Sequence, residues 1–160
     1  KKHLLLIGNP DSNPSGFLLE FITCFQDDTR FDVRVLVQQQ TEGTFDVAIE
    51  QAAIDAAESV VMHFPIYWYS MPAMLKWWID SVFTFGWAFD ENGGCMQEKP
   101  FLSSVTTGSS LESYSPEGSN QGHSHPIYTT WKEQQITQAS TTSALLQPIK
   151  RVQNTQTSLL

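Results

Sequence analysis

The densest group of residues with the types and spacing to do chemistry is the run from His63 to Asp90, HFPIYWYSMPAMLKWWIDSVFTFGWAFD. An apolar stretch stops at Pro65, crosses the aromatic loop Ile66-Tyr67-Trp68-Tyr69, and enters a helical pattern near Met71-Pro72. Aromatic rings at the carboxyl end of a strand are placed to hold a flat, conjugated ligand such as a flavin, a nicotinamide or a quinone. A flavin needs a dry, flat slot with a few polar groups to tune its reduction. The same rings also suit an ordinary core or a subunit interface.

Three further groups carry polar chemistry. Asn9-Pro10-Asp11-Ser12-Asn13-Pro14-Ser15-Gly16 is a polar loop ahead of a helical pattern that opens at Phe17. Such a loop can cradle a phosphate, because helix-start N–H groups and the helix dipole favour an anion. Ser15 stands where it either caps the helix or bonds that phosphate. Thr106-Thr107-Gly108-Ser109 ends another apolar run, and glycine there lets the backbone approach a ligand closely. Tyr114 follows in Tyr114-Ser115-Pro116-Glu117-Gly118. His123-Ser124-His125 lacks a third ligand at metal-site spacing, so no metal is expected. The chain has neither GxGxxG nor GxxxxGK[ST], which removes the sequence basis for a Rossmann fingerprint or a P-loop.

Elements that would position these groups can be read from periodicity. Residues 4–7, 59–64 and 101–107 are short apolar runs that read as buried parallel strands. Residues 31–37 alternate Phe31, Val33, Val35 and Val37 with polar neighbours, which predicts a strand with one solvated face. Residues 17–25, 47–57 and 71–85 have helical spacing. Strands alternating with helices make βαβ units, right-handed crossovers and a doubly wound α/β sandwich. Ligands in such sheets sit outside the carboxyl ends of the strands. The three loops found there are residues 9–16, 65–71 and 106–114, which hold the groups above. Glu50, Gln51, Asp55 and Glu58 are expected on a solvated helix face, and Lys76 with Asp80 as an i, i+4 pair. Trp77 and Trp78 are about 100° apart on a helix. Both cannot face the same sheet, which argues for a partner or ligand on the other side.

At 160 residues the chain reads as one domain, 1–160, with 41% hydrophobic and 16% charged residues. A formal charge of −8 disfavours nucleic-acid binding. Cys24 and Cys95 form no disulfide framework; Cys24 is expected in the core and Cys95 on a loop, in a reducing, cytoplasmic setting. No leader is read at Lys1-Lys2-His3, and no apolar stretch reaches the ~18 residues needed for a membrane span. Residues 128–160 form an atypical tail rich in Thr, Gln, Ser and Asn, with a poor helical pattern at 127–136 and a helix or strand at 144–152.

The ordered string Phe-Pro-Ile-Tyr-Trp-Tyr-Ser-Met-Pro-Ala, with its helix and the Thr-Thr-Gly-Ser loop, resembles the flavodoxin-like NAD(P)H:quinone oxidoreductases. That family includes the DT-diaphorases, the modulators of drug activity and the ancillary subunits of potassium efflux systems. The resemblance is dense over residues 50–118, weaker over 1–16 and nearly absent after 126. It implies a flavodoxin-like doubly wound sandwich with a central parallel sheet in the order 2-1-3-4-5. It implies a bound flavin, FAD or alternatively FMN, with NAD(P)H as co-substrate and a quinone as acceptor. The implied reaction is a two-electron, ping-pong transfer of hydride through the flavin. Asn9, Ser15, Phe17, Pro65, Ile66, Tyr67, Trp68, Tyr69, Thr106, Thr107, Gly108, Ser109 and Tyr114 are the implied cofactor contacts, and Tyr114 the implied catalytic residue. The family commonly has His at Asn9, Asn near Leu18, Gly at Ser109 and, in some members, His at Asn120. A homodimer finishes the family's site, and Trp77, Trp87 and Phe89 are the expected exposed aromatics. The alternatives are a regulatory subunit on a membrane transporter, a flavin carrier, or a binding module that has lost its flavin.

Overall fold

The computed structural model describes residues 1–91, 94 and 99–119. Expectations for Cys95, Asn120, the His123–His125 pair, the segments 127–136 and 144–152 and a fifth strand lie outside the described residues. The elements are β1 (His3–Ile7), α1 (Gly16–Gln26), β2 (Phe31–Val35), β3 (Gln40–Thr41), β4 (Thr44–Phe45), α2 (Val47–Ala56), β5 (Val60–Pro65), α3 (Ala73–Val82) and β6 (Phe101–Thr106). A four-stranded parallel sheet runs β2-β1-β5-β6. Counting only these main strands, this is the expected order 2-1-3-4.

Alternation in the strands explains the layers. Leu5, Ile7 and Val61 point to one face, where Phe21, Ile22 and Phe25 of α1 cover them. Leu4, Leu6, Val60, Met62 and Phe64 point to the other, against Ile54 of α2 and Leu75, Trp78 and Val82 of α3. Both faces are covered, so the strands are near-continuous apolar runs. Gly8 follows β1 where α3 comes close: a Cβ there would lie 2.8 Å from Leu75 Cδ2 and 3.2 Å from its Cβ.

Three expectations are corrected. First, β2 stops at Val35, and Leu36–Gln38 form a 3-10 turn. Leu36 is fully buried in the core beneath α2 and α3, so the chain leaves strand geometry to bury it on the opposite face from Phe31 and Val35. A small hairpin, β3–β4, follows, turning at Glu42 (φ 50) and Gly43 (φ 75). Two positive φ values mark a type I′ turn. Second, α3 is shorter than residues 71–85: Pro72 precedes its first turn and Phe83 leaves helical geometry at ψ 72.

Third, the acidic face of α2 is not merely solvated. Glu50 is 2% exposed. One of its oxygens, Oε1, accepts from Arg34 Nη2 at 2.6 Å, and Oε2 accepts from Trp78 Nε1 at 3.0 Å. Arg34 therefore points from β2 under α2 rather than to solvent. Gln51 donates to the Val82 carbonyl at 2.8 Å, and Asp55 accepts from Trp87 Nε1 at 3.2 Å. Asp55 and Glu58 remain exposed. Cys24 is half-buried rather than fully within the core.

Lys99 closes the far end of α2. Its ammonium donates to the carbonyls of Ile54, of Asp55 at 3.2 Å and of Ala57 at 2.8 Å. A cation there satisfies orphan carbonyls and complements the helix dipole. Lys99→Ala is expected to lower the unfolding free energy by about 1–3 kcal/mol, read by urea denaturation. A loss below a few tenths would show that water replaces the ammonium without penalty.

Candidate functional site

The parallel ladder delivers three loops to one end of the sheet. Gly8 follows β1, and its N–H donates to the His63 carbonyl of β5 at 2.8 Å. β5 ends at Pro65, in register with Thr106 of β6. Ile66 N–H then donates to the Thr106 carbonyl at 2.8 Å, extending the ladder one step. The segments 9–16, 65–71 and 107–110 are thus neighbours because their strands are.

The loop after β1 is built from its own side chains. Asn9 Oδ1 accepts from the Asp11 N–H at 2.9 Å, and Asp11 Oδ1 accepts from the Asn13 N–H at 2.9 Å. Ser15 occupies the N-cap of α1 in an extended conformation but makes no side-chain cap bond, and the first turn holds no acidic residue. Four N–H groups at a helix start have no intrahelical partner, and they favour an anion. Phe17 is half-buried, its ring 5.8 Å from Phe21 and 6.3 Å from His63. It anchors the loop from below.

The loop after β5 is a tight turn. Tyr67 and Ser70 exchange backbone hydrogen bonds of 2.9 and 3.0 Å. The two residues between them, Trp68 and Tyr69, have φ of 50 and 61. Positive φ is uncommon for bulky side chains and costs on the order of 1–3 kcal/mol each. Trp68 stands at the tip, 94% exposed, with Tyr67 and Tyr69 about half exposed beside it. Pro65 and Ile66 are half-buried, and Ile66 packs into the core beneath α2 and α3. Their contribution to the loop's outer surface is therefore backbone.

After β6, the Thr107 hydroxyl donates to the Ser109 carbonyl at 2.8 Å, closing a short turn. A Cβ on Gly108 would meet no atom of the described residues within 4 Å, so among them this loop leaves room for a ligand edge. Tyr114 ends a 3-10 turn, Leu111–Tyr114. Its side chain lies outside the described groups.

The fold thus brings Asn9, Ser15, Pro65, Ile66, Tyr67, Trp68, Tyr69, Thr106, Thr107, Gly108 and Ser109 to one end, with Phe17 beneath them. His63 is a functional candidate that periodicity alone passed over. It is buried, its Nδ1 lies 3.0 Å from Ser104 Oγ, and its ring stacks on Phe21 at 4.0 Å. Burial pushes its imidazole down to a pKa of about 4. The signal was a lone polar residue in the apolar run Val60-Val61-Met62-His63-Phe64.

The expected partner-facing aromatics divide. Trp78 is fully buried while Trp77 is 42% exposed, as adjacent positions on a helix require. Trp77 has a companion within the chain, the Phe45 ring of β4 at 5.1 Å. Trp87 is half-buried, hydrogen-bonded to Asp55. Phe85 and Phe89 are exposed and lie 5.8 Å apart, edge to face. Trp87 packs on Phe83, which packs on Phe101 at the start of β6. This aromatic group therefore sits at the amino ends of the strands, opposite the three loops. Among the described residues no helix is long and apolar enough to cross a membrane, and no cluster of His, Cys, Asp and Glu could hold a metal ion.

Comparison with known proteins agrees with this geometry. The chain is 33% identical over 119 residues to the uncharacterized NAD(P)H oxidoreductase YdeQ of Bacillus subtilis (strain 168), covering 74% of this chain and 60% of that one. It is 44% identical over 77 residues to the glutathione-regulated potassium-efflux system ancillary protein KefF of Enterobacter sp. (strain 638), covering 48% and 44%. The structure of general stress protein 14 from Treponema denticola, in complex with FMN, superposes with a TM-score of 0.77 at 28% identity, covering 84% and 78%. The chain spans about half the length of the curated relatives it matches. A parallel β2-β1-β5-β6 sheet, helices on both faces, and a family model described as "Flavodoxin-like fold" matching residues 1–140 give one answer: the chain belongs to the flavodoxin-like fold family.

Proposed function

We propose that this chain is a flavin-dependent NAD(P)H:quinone oxidoreductase with FMN as its cofactor. The observation that carries the reading is the aromatic turn Tyr67–Ser70, held in a strained backbone at the carboxyl end of the sheet beside an uncapped helix start. Strain of this kind persists where surrounding structure over-determines it, and it concentrates at ligand sites. The name of YdeQ and the FMN in general stress protein 14 support the electron donor and the cofactor. The resemblance put FAD first; the neighbour's FMN moves the proposal to FMN.

When bound, FMN supplies two-electron acceptance from NAD(P)H and donation to a quinone. The chain supplies the rest. The α1 N-terminus and the loop of Asn9 and Ser15 would hold the phosphate. Backbone groups of Pro65, Ile66, Tyr67 and the Thr106–Ser109 segment would bond the ring edge. Trp68 and Tyr69 would flank the ring and exclude water, and Tyr114 would steady charge. One covered ring face leaves a single open face, so donor and acceptor would use it in turn, a ping-pong order. A homodimer would complete the site; sedimentation at varied concentration tests that. A second reading, a regulatory subunit on a potassium-efflux transporter, is favoured by the likeness to KefF and is compatible with the first.

An absorbance spectrum with added FMN or FAD, then anaerobic NAD(P)H, then a quinone, tests the reading. A flavin band that bleaches and returns supports it; a chain that takes up neither flavin sinks it. Trp68→Gly separates binding from folding. Glycine tolerates positive φ, so the variant is expected to be as stable as the parent or up to about 1 kcal/mol more stable. It should bind FMN about tenfold more weakly, the equivalent of about 1.4 kcal/mol of lost ring contact. Lost stability with unchanged FMN affinity would assign Trp68 to packing instead.

A further inference from the structure

We propose that His63 and Ser104 are a positioning pair that clamps the start of α1 to the carboxyl ends of β5 and β6, and so sets the affinity of the flavin site. The proposal rests on the flavin reading above and adds residues to it. His63 touches every segment that borders the three loops. Its carbonyl accepts from Gly8, the residue that opens the loop after β1. Its Cα is in register with Ile7 on one side and Ser104 on the other. The Nδ1–Oγ contact with Ser104 spans the β5–β6 pair at 3.0 Å. Its ring stacks on Phe21 at an interplanar angle of 20° and approaches Phe17, the second residue of α1.

The start of α1 is held by packing of Phe17 and Leu18 on the core and not by its own cap. Ser15 gives no side-chain cap bond, and a Cβ on Gly16 would meet nothing among the described residues within 4 Å. The Phe17–Phe21–His63 contact links this helix start to the strand that carries the aromatic turn. An apolar residue at position 63 would fill the space more cheaply than a buried imidazole, but it would have no polar reach to β6. Ser104 stands two residues before Thr106, on the same side of β6, directly beneath the Thr106–Ser109 loop. Loosening the pair would let the phosphate end and the ring end of the site drift apart, and small misplacements of a supporting shell weaken a site.

The test is FMN titration by flavin fluorescence alongside urea unfolding of the apoprotein. Ser104→Ala and His63→Leu are expected to weaken FMN binding about tenfold, the affinity equivalent of one unsatisfied polar contact. His63→Gln, whose carboxamide can still reach Ser104, should stay within about threefold of the parent. Lys99→Ala destabilises the opposite end of the fold and should leave FMN affinity unchanged. FMN binding by Ser104→Ala and His63→Leu that matches the parent overturns the clamp and leaves the flavin reading intact. Affinity that merely follows stability in every variant, Lys99→Ala included, overturns it too. A parent chain that binds no FMN overturns the flavin reading, and the clamp with it.

Discussion

Glu50→Ala is expected to cost about 3–5 kcal/mol of unfolding free energy, the largest loss from any single polar substitution proposed for this chain. Glu50 is buried and holds two groups at once. Its carboxylate pairs with Arg34 at 2.6 Å and accepts from the indole of fully buried Trp78 at 3.0 Å. Removing it leaves a cation whose side chain is only 17% exposed, and whose Nε already has no hydrogen-bond partner among the described residues. It also strands a buried indole N–H. Breaking such a pair costs more than its net worth, because the survivor cannot be rehydrated. Two variants separate the charge from the hydrogen bond. Glu50→Gln keeps an acceptor for Trp78 and should lose less than Glu50→Ala. Adding Arg34→Met to Glu50→Gln removes the orphaned cation and should recover part of that loss. Urea midpoints and m-values for the four chains make the comparison. A loss below about 1 kcal/mol for Glu50→Ala would mean that water enters and solvates Arg34.

This network also shows where the sequence ran out. The strand alternation, the helical spacing and the polar or aromatic character of three loops were legible, and with them the doubly wound sheet and the end where the candidate site residues gather. Each depends on local periodicity. Glu50 reads as a surface residue because its helix neighbours Gln51 and Asp55 are polar, and nothing local announces that α2 lies over Arg34 of a strand 16 residues earlier. The same blindness covers Leu36. Its burial needs a switch of face that a strict period of two forbids, and the chain makes that switch with a 3-10 turn. The Tyr67–Ser70 loop was legible as aromatic and not as a type I′ turn, since Trp and Tyr are poor residues for positive φ. Phe17 and Ile66 were legible as site neighbours, but their side chains turn inward because the core beneath each loop needs closing.

His63 gives the second large effect, a pH dependence with a defined window. Burial holds its folded pKa near 4, against 6.5 for an unperturbed imidazole. The sign follows from proton counts. Between these values the unfolded chain binds a proton and the folded chain does not, so unfolding takes up a proton and becomes easier as pH falls. Stability is therefore fully present above about pH 6.5 and declines as pH drops toward about 4, by about 3 kcal/mol across the window. The Asp28–Arg30 pair acts lower on the scale. The guanidinium of Arg30 holds the Asp28 carboxyl down at about 2 from 3.8, so its contribution is lost only as pH falls through that lower range. The two effects separate in a series of urea unfolding curves from pH 7.5 to 4.5. The parent should weaken progressively over that range. His63→Gln has no proton to take up, so its deficit relative to the parent should shrink, or reverse, by about 2–3 kcal/mol between the two ends. A deficit that stays constant with pH would show that protons reach His63 in the folded protein as easily as in the unfolded chain. The ring stacked on Phe21 beneath the aromatic turn would then be open to water.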